Sequence, residues 1–164
     1  MINFNQSATW QEICSNSSLH DLPFKIESNQ QGQLLMTPVK VYHSLFQGKI
    51  TGLLYSHIED GEVLVECAVR TRKGTKVADV AWASSQRLEF IQDEAECSVA
   101  PEICIEVMSS ANTEEEMLDK RKLYCEKGAE EFWICGQKGQ FRFFSPDTEL
   151  PRSLLLPEFP VTIR

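Results

Sequence analysis

The feature that most constrains this chain is the stretch 103–109, ICIEVMS. Its apolar run is far short of the about 20 residues that cross a membrane. It reads as a buried strand with Glu106 inside it. A carboxylate is almost never fully buried without a partner. The fold must therefore supply Glu106 with a cation, a hydrogen-bond donor or a metal. Two other acidic residues interrupt strand-like runs: Glu27 at the end of PFKIE, and Asp79 in KVADVAWAS.

The elements around these carboxylates follow from local pattern. Residues 7–19 carry helix signals, with Ser7 or Thr9 as the cap. Runs at 24–27 and 33–36 flank Asn29-Gln30-Gln31-Gly32 and read as a hairpin. After Pro38, apolar residues at 42, 46, 50, 53 and 54 predict a helix over 39–55. A strand over 63–70 puts Val63, Val65, Cys67 and Val69 on one face, and 77–83 is a further strand after the turn Arg72-Lys73-Gly74. Residues 84–100 read as a polar connection with Asp93, Glu94 and Glu96.

Beyond the 103–108 strand, Thr113 and Glu116 form a capping box, and the helix they open ends near Lys127 at Gly128. A hairpin at 132–135 and 140–144 follows, and then a tail with Pro151, Pro157 and Pro160 that reads as extended over the surface. Neither a repeat nor a linker interrupts the chain. Its 164 residues suit one domain, 1–164, with a core over about 21–145 and a tail over 146–164. The class is α/β or α+β: a mixed sheet flanked by helices.

Charge and cysteine content narrow the function. The net charge of −8 argues against gripping nucleic acid by bulk electrostatics. It leaves room for a nuclease, because carboxylates around a metal add to an acidic count. The six cysteines include no C-x-x-C pair, which argues against structural zinc and for reduced thiols used as small hydrophobes. With neither a signal peptide nor a membrane helix in view, the expected location is the cytoplasm.

Converging carboxylates repel one another, and a divalent ion reverses that repulsion. Mg²⁺ takes oxygen ligands, commonly one or two carboxylates plus water and phosphate. Glu27, Asp79 and Glu106 suit such a site. The alternative places Glu27 and Asp79 at strand ends facing water, with Glu106 paired to Arg121 or a lysine. On the 113–127 helix, Met117, Leu118, Tyr124 and Cys125 form the inward stripe. Arg121 lies near its middle, Lys120 at one edge beside Tyr124 and Lys122 at the other.

The order PFKIE, LLM-P, a helix opening with His43, ADVAWAS, PEICIEVMSSANT and DKRKLYCEKGAEEFWI resembles the Uma-two family of endonucleases. That family lies in the PD-(D/E)XK superfamily, and the resemblance implies a restriction-endonuclease-like fold. It further implies that Asp79, Glu106 and Glu27 hold the metal, Mg²⁺ with Mn²⁺ as a substitute, and that DNA is the substrate. Two departures stand out. Ala78 replaces the superfamily's proline before Asp79, and Met108 takes the position of its strand lysine.

Lys120 matches a lysine common in the family's helix and is the expected catalytic replacement. His43 matches a histidine at the opening of its helix, and Gln47 shares that helical face. With Arg121 and Tyr124 these residues are expected to touch phosphate or the groups that hold the metal. The implied function is a Mg²⁺-dependent DNA endonuclease, acting as a homodimer to cut both strands. The rival is a non-catalytic nucleic-acid-binding or regulatory domain that keeps the fold.

Overall fold

Alternating apolar residues at 62–71 and 74–83 become a long antiparallel pair on which the rest of the sheet is built. The computed structural model describes residues 8–164, so Ser7 lies outside the described residues. Helix α1 spans Trp10–Cys14 and is opened by Thr9, whose hydroxyl accepts from Glu12 N while Glu12 reaches back. A hairpin, β1 (Phe24–Ser28) and β2 (Leu34–Pro38), stands apart from the main sheet. Helix α2 (Val41–His57) then leads into β3 (Glu62–Thr71) and β4 (Gly74–Ala83).

Helix α3 (Ser85–Ile91) occupies part of the expected polar connection. Its apolar face is short, but Ser84 caps it by accepting from Arg87 N, and Ile91 is buried. Strand β5 (Ile103–Val107), helix α4 (Glu114–Glu126), β6 (Glu131–Cys135), β7 (Phe141–Phe144) and β8 (Glu149–Leu150) complete the chain. The capping box at Thr113 and Glu116 forms as read, with Gly128 beyond the helix end at φ +102°. Three glutamates in the first turn of α4 oppose the positive end of its dipole.

The main sheet runs β3-β4-β5-β6-β7-β8. Neighbours are antiparallel except β5 and β6, which are parallel and joined by α4. One face packs Ile105, Val107 and Trp133 against Ile50 and Leu54 of α2. The other packs Cys104, Ala81 and Phe132 against Met117 and Tyr124 of α4. All five residues of β5 are buried, so Glu106 shares the α4-facing side with Cys104.

The tail is more than a surface wrap. β8 extends the sheet, and Phe159 and Ile163 are buried in the α2-side core. Phe159 lies 4.7 Å from the Trp133 ring and 5.2 Å from Phe141. No helix among the described residues is long and apolar enough to cross a membrane.

The expected single face of Val63, Val65, Cys67 and Val69 does not form. Val63 packs on the α2 side and Val65 is 49% exposed, while Cys67 and Val69 face the α4 side. The cause is Glu66, which adopts a left-handed φ of +55° and shifts the phase of alternation. β4 shifts with it: Ala78 and Ala81 both face the α4 side, and the ladder lacks a Glu66–Asp79 pair while keeping register on both sides.

Phe159→Ala is expected to destabilise the protein by about 3–5 kcal/mol, as a large buried aromatic does on truncation. A urea denaturation midpoint equal to wild type would show that the tail does not belong to the core.

Candidate active site

The phase shift at Glu66 and Asp79 falls where the sheet opens. β4 and β5 pair only from Val80–Ile105 to Trp82–Ile103. Past that point the strands part, and the Asp79 side chain enters the gap. Its Oδ2 accepts from Val107 N at 2.7 Å, so the strand carboxylate takes the donor that a ladder partner would have used. Side chains of β1 cover the neighbouring length of β4. Glu27 Oε1 accepts from Val77 N at 2.7 Å, and Ser28 Oγ accepts from Thr75 N at 2.8 Å. The hairpin is thereby fixed over the opening.

Around Asp79, side chains of β5, α4, β1 and α2 then converge at one cleft of about 550 Å³. From β5 comes Glu106, 2% exposed. From α4 come Lys120, whose ammonium lies 3.0 Å from Glu27 Oε1 and 3.1 Å from Glu106 Oε1, and Tyr124, whose hydroxyl donates to Glu106 Oε1 at 2.8 Å. From β1 comes Lys25, whose ammonium lies 2.6 Å from Asp79 Oδ1 and 3.5 Å from Glu106 Oε2. From α2 comes His43, with Nε2 3.2 Å from Asp79 Oδ2. Gln47, one turn on, donates to Glu66 Oε1 at 2.6 Å and to the Asp79 carbonyl at 3.1 Å. Gln47 thus ties together the two residues at which the strands change phase.

The structure brings together Glu27, Asp79, Glu106, Lys120, His43, Gln47 and Tyr124. Glu27 and Asp79 do not face water as strand-end residues, since both are engaged by lysines. Arg121 is not in the cleft. Its guanidinium donates to the carbonyls of Ser145 and Pro146 and lies 5.1 Å over the Phe144 ring. The buried face of α4 is Met117, Leu123 and Tyr124, rotated from the expected stripe so that Lys120 meets the carboxylates and Arg121 meets β7. Met108 packs against the α4-side core, so the position two residues beyond Glu106 supplies an apolar contact.

Lys25 was not among the sequence candidates. The signal was present: Lys25 and Glu27 are two apart in FKIES and so share one face of β1.

Burial and pairing pull the titrations in opposite directions. Burial would raise Asp79, but Lys25 beside it and the hydrogen bond from His43 hold it well below the usual carboxylate range. Glu27 is also buried, and Lys120 and Lys25 bring it below its ordinary value. In Glu106 burial wins, pushing it up to about 7 despite Lys120 and Lys25. His43 is raised, first by its hydrogen bond to Asp79. Burial lowers Lys120, but Glu106 and Glu27 outweigh it and leave the ammonium raised.

The donor set suits a hard divalent ion. Asp79 Oδ1 and Glu106 Oε2 already converge on a single cation, the Lys25 ammonium. Two carboxylates completed by water and phosphate are a common Mg²⁺ set. Glu27 is turned toward Lys120 and Val77 N instead. Among the described residues, no group of three or more His, Cys, Asp or Glu is arranged to hold a metal by itself.

A family model described as "Uma2: Putative restriction endonuclease" matches residues 17–161. The chain belongs to the Uma2 family. A crystal structure of "a putative nuclease belonging to DUF820 from Anabaena variabilis" superposes with a TM-score of 0.71 at 15% identity, covering 95% of this Uma2 chain and 95% of that one. At that identity the likeness is one of fold, and it carries the mixed sheet with flanking helices expected from the resemblance. No curated protein sequence matches the chain. The residues of the candidate site lie on β1, β4, β5, α2 and α4, within the length matched by the family model.

The lowered carboxylates fix a pH dependence. Asp79 and Glu27 contribute stability that is complete above their ordinary values of 3.8 and 4.5 and is lost as pH falls toward their folded values. Glu106 has the opposite sign: its share is complete below 4.5 and fades as pH rises through about 7. Urea unfolding between about pH 4 and pH 2 is expected to lose up to roughly 1.4 kcal/mol per pH unit for each lowered carboxylate. Asp79→Asn should flatten this acid arm, and equal slopes in the two proteins would refute the assignment.

Proposed function

We propose that the cleft is the active site of a divalent-metal-dependent DNA endonuclease. The observation that carries this reading is the convergence of Asp79, Glu106 and Glu27 at the opening between β4 and β5, with the Lys120 ammonium on Glu27 and Glu106. Three mutually repelling carboxylates are costly to gather, and a cation site gives them a purpose. Membership of a family described as a restriction endonuclease supports the same reaction class.

In this reading Asp79 and Glu106 hold Mg²⁺, with Mn²⁺ as a substitute, and Glu27 completes the acidic set directly or through water. When bound, such an ion would supply a water of lowered pKa and a polarised phosphoryl oxygen. Lys120 orients the attacking water or meets the negative charge that develops on the phosphoryl oxygens in the transition state. Tyr124 fixes the Glu106 carboxylate by its hydrogen bond, and His43 does the same for Asp79. Gln47 holds the Asp79 backbone in place. In the same reading His43 also contacts the substrate phosphate. Cutting both strands of a duplex takes two such clefts, which a homodimer supplies. The free thiols fit a reducing, cytoplasmic setting.

One observation favours the rival, a binding or regulatory domain that has lost catalysis: Met108 fills the strand position where the superfamily's lysine is expected.

The two readings separate in one experiment. Supercoiled plasmid and single-stranded DNA are incubated with the protein in Mg²⁺, Mn²⁺ or EDTA. Nicking is expected with either metal, none in EDTA, and none in Asp79→Ala or Glu106→Ala. Lys120→Ala is expected to retain Mn²⁺ binding while cleaving about 10²–10³-fold more slowly. Nicking that persists in both carboxylate variants overturns the site. Absence of both nicking and metal binding in the wild type overturns the metal-dependent reading and favours the rival.

A further inference from the structure

Asp79, Glu106 and Glu27 are each met by an ammonium, but the two lysines that meet them are not equivalent. Lys120 bridges Glu27 and Glu106 from α4, on the side where Tyr124 also contacts Glu106 Oε1. Lys25 comes from β1 on the other side and touches the oxygens left over: Asp79 Oδ1 at 2.6 Å and Glu106 Oε2 at 3.5 Å. Its side chain is 13% exposed.

We infer that Lys25 is a built-in counter-ion whose ammonium holds the place between Asp79 and Glu106 that a divalent ion takes, so that metal binding displaces it and Lys25 sets the metal affinity of the site. This deepens the proposed function and rests on its metal reading. The physical ground is competition. A carboxylate oxygen engaged by an ammonium must leave it to bind a metal, and two cations between the same pair of carboxylates repel each other. Binding of one and attachment of the other are therefore negatively coupled, and by linkage removing one strengthens the other.

The location of Lys25 makes displacement feasible. It sits on a hairpin that is tied to β4 through Glu27 and Ser28, so the ammonium can swing out on its four-carbon stem while the strand stays docked. Without the metal the same ammonium offsets the repulsion between Asp79 and Glu106. It therefore supports the fold in one state and opposes the metal in the other.

The test titrates Mn²⁺ into metal-free protein by isothermal titration calorimetry, with thermal melting as a second readout. Lys25→Met and Lys25→Gln are compared with wild type and with Lys40→Met. Lys40 is a cation on the cleft wall whose ammonium contacts Ser110 and neither metal carboxylate. In Lys25→Gln the amide can still donate to Asp79, which keeps a folded variant available.

Both Lys25 variants are expected to bind Mn²⁺ about tenfold or more tightly than wild type, with Lys40→Met unchanged. Without metal they melt below wild type, and saturating Mn²⁺ raises them by more than it raises wild type. Binding by wild type with an equal or weaker affinity in the Lys25 variants overturns this inference and leaves the metal site standing. An equal gain in Lys40→Met also overturns it, by showing a general charge effect. Absence of Mn²⁺ binding in every form overturns this inference and the metal reading together.

Discussion

The buried Glu106 carboxylate is the constraint around which the rest of the site is organised. It sits on a strand buried along its whole length, where an uncompensated charge costs several kcal/mol. Its compensation comes from two elements: Lys25 on β1, and Lys120 and Tyr124 on α4. The strand cannot be buried unless the hairpin and the helix are both docked. The contacts that neutralise Glu106 are thus also the contacts that close the cleft.

A second constraint lies in the backbone. Glu66 stands in the left-handed region, which a non-glycine residue rarely adopts, and the strain coincides with the parting of β4 from β5. Ordinary pairing there would leave no gap between the strands. The shift lets the Asp79 side chain take the Val107 N–H and turn its other oxygen toward Lys25. Gln47 holds both residues of the distortion from α2, so helix, strain and carboxylate form one unit. The chain is acidic overall, with a net charge of −8, and in its cleft lysines from separate elements converge on the acids.

Much of this arrangement was legible from local pattern. The capping box at Thr113 and Glu116, the two hairpins and the buried strand around Glu106 depend on near neighbours in sequence, where turn chemistry and period-2 alternation act directly. Glu27, Asp79 and Glu106 stood out because acids inside apolar strands are costly. Local pattern misled where the deciding force was not local. The face of β3 was misread because one left-handed residue resets the alternation. Of the two partners open to Glu106, Arg121 or a lysine, the pattern on α4 could not choose, because the rotation of α4 is set by packing against β7 as well as β5. The tail read as a wrap because Phe159 enters the core only once Trp133 and Phe141 have built its pocket.

By itself the sequence determined that this chain carries acidic residues on strands and basic residues on a neighbouring helix, in an order that marks its family. Cost and periodicity dictate that much, because each is a property of a short segment. Only the tertiary structure decided which cation meets which carboxylate. Lys25 and Lys120 reach Glu106 across sequence separations of 81 and 14 residues, and geometry at that range is fixed by sheet order, strand splay and helix rotation together. A side chain's charge is written in the chain, but its partner is set by the packing of every element between them.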